Sequence, residues 1–490
     1  MWPFSSGARR RIGAWDLSTP ILRFSDRDPW TIGDSCMGTQ IFGGTGSGKS
    51  TGSLAAICRA FLRAGYGGLF LTAKPEDTAT YQRYCAEAGR LDDLSIFGVG
   101  RPLRYNALDA ELRRRDAGAG LTENVVALLT TLLEVSERNS GDGDREDSGY
   151  WKRVNRQLLR NTVDLLVMAK NRLSVPELYK LVVSAPTSRQ QVGSDDWRRG
   201  SFCYECLKEA DAKDGSRRQR DDLELVSTFF LSEWANLSER TRSVVLSTFT
   251  SMLDVLNRGV VRELLSGTTN VTPEEAQDGR IILIDLPLKV FGELGVFVQV
   301  LWKFCFQRAM ERRDVGVNPR PVFLVADESH LLTVSTDQVF QTTARSTRTA
   351  VVYATQSISN YLAALGGDRA EPQTHSLLGN LQTQIFHQQA DIRTNEYAAQ
   401  LIGRTRQFLS NANTNYQPDY GMGGLFGSSL GGMSAGVSEV FEFEVQPSVF
   451  TTLAKGGPPE WNVGSIVFQG GRRFHDTGRS WLPVTFRQQV

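Results

Sequence analysis

The 490-residue sequence predicts an α/β fold, a core with a mainly parallel sheet into which an all-α domain is inserted. Two patterns carry this prediction. Short apolar runs recur without polar alternation, as strands covered on both faces require, and the segments between them are long enough to be helical crossovers. In the middle of the chain the apolar spacing changes from strand-like to helical.

The predicted strands are Thr39–Phe42 (TQIF), Gly67–Thr72 (GGLFLT), Ile281–Leu286 (IILIDL), Val322–Ala326 (VFLVA), Ala350–Ala354 (AVVYA) and Gln384–His387 (QIFH). Between Asn106 and about Pro273 one helical stripe is formed by Trp151, Val154, Leu158, Leu159, Thr162, Leu165 and Leu166, with Lys152, Arg153, Arg156 and Arg160 on the opposite face. Val245, Phe249, Met252, Leu253 and Leu256 form a second stripe, with Ser238 read as its N-cap and Gly259 as its stop. The domain reading is therefore 1–108 for the first part of the core, 109–276 for the helical insert and 277–490 for the rest of the core. Ser136–Gly149 reads as a polar loop, Arg217–Arg220 (RRQR) as part of a charged stretch, and Gly421–Gly436 as a low-complexity flexible segment.

With 55 Lys and Arg against 54 Asp and Glu, the net charge of +1 excludes a protein that coats nucleic acid with its whole surface, though not one with a local basic channel. The six cysteines are scattered except for Cys203 and Cys206, and one CxxC without a second ligand pair reads as free thiols rather than a structural zinc site. None of His330, His375, His387 and His475 has a triad or metal constellation around it in sequence. No stretch approaches the roughly 20 apolar residues of a membrane span. The first fifteen residues hold Trp2, Phe4 and Arg9–Arg11 but no apolar region typical of a signal peptide.

Directly after the first predicted core strand comes GGTGSGKST: Gly43, Gly44, Thr45, Gly46, Ser47, Gly48, Lys49, Ser50 and Thr51. Glycines let successive N–H groups turn inward around an anionic oxygen, and the helix that follows points its positive end at the same place. Lys49 is expected to reach the β- and γ-phosphates of ATP, and Ser50 to hold Mg²⁺. The run VFLVADE ends a strand in two carboxylates. Asp327 is the candidate for Mg²⁺ and its water, and Glu328 the candidate base that orients the attacking water. Gln356, at the tip of AVVYA, is placed to touch the γ-phosphate or that water. Arg345 is the candidate for an arginine delivered to a neighbouring subunit's nucleotide, with Arg348 as substitute; a solvated arginine is the competing reading. Lys74, ending the second core strand, reads as a solvated lysine or a helper at the phosphate loop, and Arg393, Arg404 and Arg406 have no assigned role.

These residues together resemble the HerA–FtsK superfamily of ring-forming, DNA-pumping ATPases, and most of all its type IV secretion coupling proteins. The resemblance is carried by IFGGTGSGKST, IILIDL, VFLVADESHLL, ARSTRTAVVYATQS and GNLQTQIFHQQADIRTNEYAAQLIG, with LSERTRSVVLSTF near the end of the helical insert. It covers most of residues 38–410 and implies a RecA-like core. It also implies ATP and Mg²⁺ as cofactors, Lys49 and Ser50 as phosphate and metal residues, Asp327 and Glu328 as the second motif, Gln356 as sensor and Arg345 in the finger position. The family forms hexamers with DNA in a central channel. Its coupling proteins carry N-terminal transmembrane helices. Here the first core strand already begins at Thr39, so the expectation is a chain with no span of its own, in the cytoplasm and membrane-peripheral only through partners. The leading functional expectation is an ATP-driven DNA translocase, with basic residues of the insert and core loops gripping phosphates. The alternative is an ATPase that energises protein recruitment or assembly of a secretion-type complex. Secretion, relaxase or defence-system proteins are the partner classes expected.

Overall fold

Apolar runs that offer no face to water settle at the centre of a sheet with helices on both sides. In the computed structural model, which describes residues 15–116, 118–139, 148–415 and 432–488, that sheet has nine strands. Two short strands, β1 (Pro20–Arg23) and β2 (Pro29–Thr31), first form a separate antiparallel pair. The chain then supplies β3 (Thr39–Phe42), β4 (Gly67–Leu71), β5 (Leu94–Gly98), β6 (Ile281–Asp285), β7 (Val322–Ala326), β8 (Thr349–Thr355) and β9 (Thr383–Phe386). A second free-standing hairpin, β10 (Arg404–Asn415) and β11 (Gly432–Phe443), precedes the return to the sheet as β12 (Asn462–Gln469) and β13 (Trp481–Arg487).

The spatial order is β13-β12-β9-β3-β8-β7-β4-β6-β5. Strands β9 through β5 are all parallel, whereas β12 runs antiparallel to β9 and β13 antiparallel to β12. All six predicted strands are present, each end within one residue of its expected place. The sequence reading passed over β5, β12 and β13. In β13 buried and exposed residues alternate as they do in a strand with one wet face, and Pro483 fits there because the strand is at the sheet edge.

Alternate strand residues feed two cores. Ile41, Phe70, Phe323 and Val352 face helices Ala55–Arg63 and Asp77–Glu87, while Phe42, Leu71, Leu324 and Tyr353 face helix Leu288–Arg312 and the insert. Among the described residues no strand lies between β5 and β6. The chain there runs as helices from Ala107 to Leu265, the longest being Thr122–Asn139, Ser148–Lys170 and Glu239–Leu256.

Most of the two predicted stripes is its core: Leu158, Leu159, Thr162, Leu165 and Leu166 are buried, as are Val245, Phe249, Met252, Leu253 and Leu256, while Val154 is half-buried and the side chain of Trp151 lies outside the described residues. Ser238 caps its helix by accepting from the Thr241 N–H. Gly259 does not stop that helix. The helix ends at Leu256, and Gly259 opens the next one, Gly259–Leu265.

Other expectations change as well. Ser136–Gly149 is not wholly loop, since Ser136–Asn139 and Ser148–Gly149 are helical; 140–147 lie outside the described residues. Gly432–Gly436 belong to β11, whereas 421–431, like Trp2, Phe4 and Arg9–Arg11, lie outside them. RRQR opens helix Arg217–Thr228, capped by Ser216. Cys203 and Cys206 are buried in helix Phe202–Asp211, and burial pushes the Cys203 thiol up and that of Cys206 up to about 12, so both are protonated. No single described helix is long and apolar enough to cross a membrane.

Candidate functional site

The carboxyl ends of β3, β8 and β7 meet at one place, and each brings a predicted residue to it. β8 stands between the other two, so the glycine loop after β3 and the acids after β7 are separated by one strand, which is followed directly by Gln356. The loop is tied to its neighbours by its own backbone: Gly43 N–H donates to Thr355 O at 3.3 Å and Gly44 N–H to Gln388 O at 2.9 Å. Gly46 and Gly48 have φ of +72° and +83°, which a side chain would resist. A stretch of wide turns, Ser50–Leu54, then leads into helix Ala55–Arg63.

Lys49 is buried with its Nζ 3.3 Å from Asp327 Oδ1 and 3.7 Å from Glu328 Oε1. Ser50 Oγ donates to Asp327 Oδ2 at 2.7 Å. Burial pushes the Asp327 carboxyl up, but the Lys49 ammonium and the Ser50 hydroxyl outweigh it and hold the group below the usual carboxylate range. Asp327 is therefore an anion at neutral pH. Glu328 has φ 50° and ψ 39°, the left-handed region that favours glycine. Holding a glutamate there costs about 1–2 kcal/mol, and strain of this kind concentrates where a side chain must be aimed. Its Oε1 accepts from Gln356 Nε2 at 3.4 Å. Its buried Oε2 accepts no hydrogen bond, and the His330 Nδ1 lies 3.7 Å away. Burial lowers the His330 pKa, so the ring is neutral at pH 7, and Nδ1 is 2.9 Å from Thr355 Oγ1. Thr45 Oγ1 reaches Gln356 Oε1 at 3.5 Å, which closes a ring of polar groups from the loop to Glu328.

Buried groups behind the site hold it. His387, at the end of β9, is fully buried: its Nδ1 is 3.0 Å from Gly464 O and its Nε2 2.7 Å from Ser53 Oγ. A carbonyl can only accept, so Nδ1 carries the proton and Ser53 donates to Nε2. Ser329 Oγ reaches Ala354 O at 3.1 Å and Tyr361 Oη at 2.6 Å, and Tyr361 donates to Gln40 of β3 at 2.9 Å. The tips of β3, β7 and β8 are thus linked through side chains as well as through the sheet.

Not every candidate gathers here. Arg345 is exposed at the beginning of β8, the opposite end from Thr355, and cannot serve the loop of its own subunit. Arg348 is not available as its substitute. Its Nη1 donates to Trp15 O at 2.7 Å and Pro319 O at 2.9 Å. Lys74 follows three residues after the end of β4, which neighbours β7 and not β3; its charge still helps keep Asp327 ionised. Arg404 and Arg406 lie on the β10–β11 hairpin over the rings of Phe443 and Phe441, away from the loop, and Arg393 is exposed in helix Ile392–Ile402.

The comparisons fit this geometry. The sequence family described as the TraM recognition site of TraD and TraG matches residues 321–429, which include Asp327, Glu328, Arg345 and Gln356. No curated protein matches the chain. The bacterial conjugative coupling protein TrwB, in the form TrwBdeltaN70, superposes with a TM-score of 0.59 at 16% identity over 96% of this chain and 90% of that one. TrwB in complex with the non-hydrolysable ATP analogue ADPNP gives 0.58 at 16% identity over 94% and 88%, and its complex with ADP and Mg²⁺ gives 0.55 at 16% over 94% and 88%. The chain therefore shares its fold with the coupling protein TrwB. Within that fold, sequence reasoning missed Gln40, Ser329 and Tyr361 as a bracing chain, and His387 as the support under the loop. Only His387 gave a signal, as a histidine directly after the strand Thr383–Phe386.

Proposed function

We propose that the chain hydrolyses ATP and uses the energy to move DNA through a homo-oligomeric ring. One observation carries the chemistry: Lys49 and Ser50 of the loop already touch Asp327, with Glu328 alongside. A hydroxyl and an ionised carboxylate 2.7 Å apart are the hard oxygen donors that fit Mg²⁺. When bound, Mg²⁺ would neutralise charge that builds on the phosphates. Lys49 would bind the β- and γ-phosphates, and Ser50 and Asp327 would hold the metal. Glu328, with Gln356 steadying Oε1, orients water and accepts its proton. Arg345, at the far end of β8, is supplied to a neighbour in a hexamer, which agrees with its distance from its own loop. We place the protein in the cytoplasm, at a membrane through partners.

The likeness to a conjugative coupling protein supports the motor reading. The basic face of the insert supports it less, because Arg156 and Arg160 bond to Glu123 at 3.0 and 2.5 Å. A second reading, an ATPase that recruits or assembles secretion proteins, is favoured by the family match, whose description names recognition of the protein TraM. ATP turnover with and without DNA separates them. Strong stimulation is expected; none would favour protein handling, and no turnover under any condition would remove both.

A further inference from the structure

The strand order gives the candidate site a direction. β8 and β7, with Gln356, Asp327 and Glu328 at their tips, lie on one side of β3, and β9 and β12 lie on the other. A triphosphate whose β- and γ-phosphates meet Lys49 therefore turns its reacting end toward β7 and β8, and its sugar and base toward β9 and β12.

That second side is built. The loop Lys455–Trp461 (KGGPPEW) lies against the glycine loop so closely that a Cβ on Gly48 would come within 2.8 Å of Lys455 O and 2.6 Å of Val463 Cγ2. Gln488 fastens it. Its Nε2 donates to Thr51 Oγ1 at 2.6 Å, its Oε1 accepts from Gly457 N–H at 2.6 Å, and its own N–H donates to Trp461 O at 2.7 Å. Gly456, at φ +85°, leaves room for the Gln488 amide that any side chain would displace. The residues of this loop and Gln488 are not among those assigned to the phosphates, the metal or the water, although Gln488 is bonded to Thr51 of the glycine loop.

We propose that Lys455–Trp461, held by Gln488, is the nucleoside subsite and takes the ribose and base of the nucleotide; the assignment rests on the phosphate-site reading above. Two glycines and two prolines present backbone and ring faces, with Lys455 and Glu460 as the only charged side chains, both exposed. Such a surface meets the flat face of a base rather than reading its edge, so ATP and GTP bind within about threefold of each other.

The test compares Mg·ATP with Mg·tripolyphosphate, which has the phosphates and no nucleoside, by calorimetry on the full chain. Gln488→Ala is expected to weaken ATP about fivefold, the value of one hydrogen bond, and to leave tripolyphosphate within about twofold. Gly456→Ala, which pushes the Gln488 amide aside without removing it, should repeat the pattern. Should Gln488→Ala misfold, Trp461→Phe gives a separate reading: energy transfer from tryptophan to a ribose-labelled fluorescent ATP should fall. Equal weakening of both ligands, or of neither, overturns the subsite, as does unchanged energy transfer. Lys49→Ala weakens both ligands. Wild-type chain that binds neither would remove the phosphate-site reading itself.

Discussion

The sheet core and the helical insert treat charge in opposite ways. In the core, Lys303 and Asp337 are each 1% exposed and lie 2.5 Å apart, and Gln307, Tyr353 and the Val334 N–H complete the bonding of Asp337. Lys49, Asp327 and Glu328 are buried almost as deeply. In the insert, Arg156 and Arg160 meet Glu123 with all three side chains 43–53% exposed, and Lys170 bonds to the outward-facing Glu205 and Glu209. Water can replace a lost partner in the second setting and cannot in the first. Core charges are therefore committed to fixed positions, while those of the insert are locally neutralised and exchangeable.

The sharpest way to break this contrast is Lys49→Ala, which leaves two buried carboxylates without their cation. ATP turnover is expected to fall roughly a hundredfold or more, and ordinary steady-state hydrolysis would refute the site. Glu328→Gln should keep nucleotide binding, read by calorimetry, while hydrolysis drops about 10²–10⁴-fold. Asp337→Ala removes the carboxylate paired with buried Lys303, leaving its charge uncompensated beside Leu332 O, and should cost about 3–5 kcal/mol in denaturant unfolding, whereas Glu123→Gln in the insert should cost less than about 1 kcal/mol. Comparable losses at the two positions would erase the distinction.

A pH titration is a gentler probe. Burial holds the His387 ring down to about 4 from 6.5. Between those values the unfolded chain takes up a proton that the native ring refuses, so stability should decline as pH falls from 6.5 to 4. Melting curves of His387→Asn should show a shallower decline across that window; an unchanged slope would mean that another group titrates there.

Much of this was legible in the sequence for a local reason. A glycine loop declares its backbone through its residues, and a strand that ends in Asp327-Glu328 declares its chemistry in the same way, so their meeting could be expected before any contact was known. Six strands were readable because burial on both faces removes polar alternation. What stayed hidden depends on partners distant in sequence. The contact between Gln488 and Thr51 spans 437 residues and involves side chains common on any surface. Arg348 resembles Arg345 in the sequence, yet the carbonyls of Trp15 and Pro319 occupy it. That β4 adjoins β7 rather than β3 follows from crossover topology, which no local pattern records.

The root of the insert has a mechanical meaning. The chain leaves the sheet after β5 and returns before β6, and its outgoing and incoming segments are laced together: Tyr105 N–H to Leu264 O at 2.9 Å, Asn270 N–H to Arg104 O at 3.0 Å, and Asn106 N–H to Thr269 Oγ1 at 3.1 Å. Outgoing and incoming arms bound in this way behave as a single post. A push on the helical lobe enters the sheet at its rim, five strands away from β3, and also at its face, where the lobe and helix Leu288–Arg312 share one core with Phe42, Leu71, Leu324 and Tyr353.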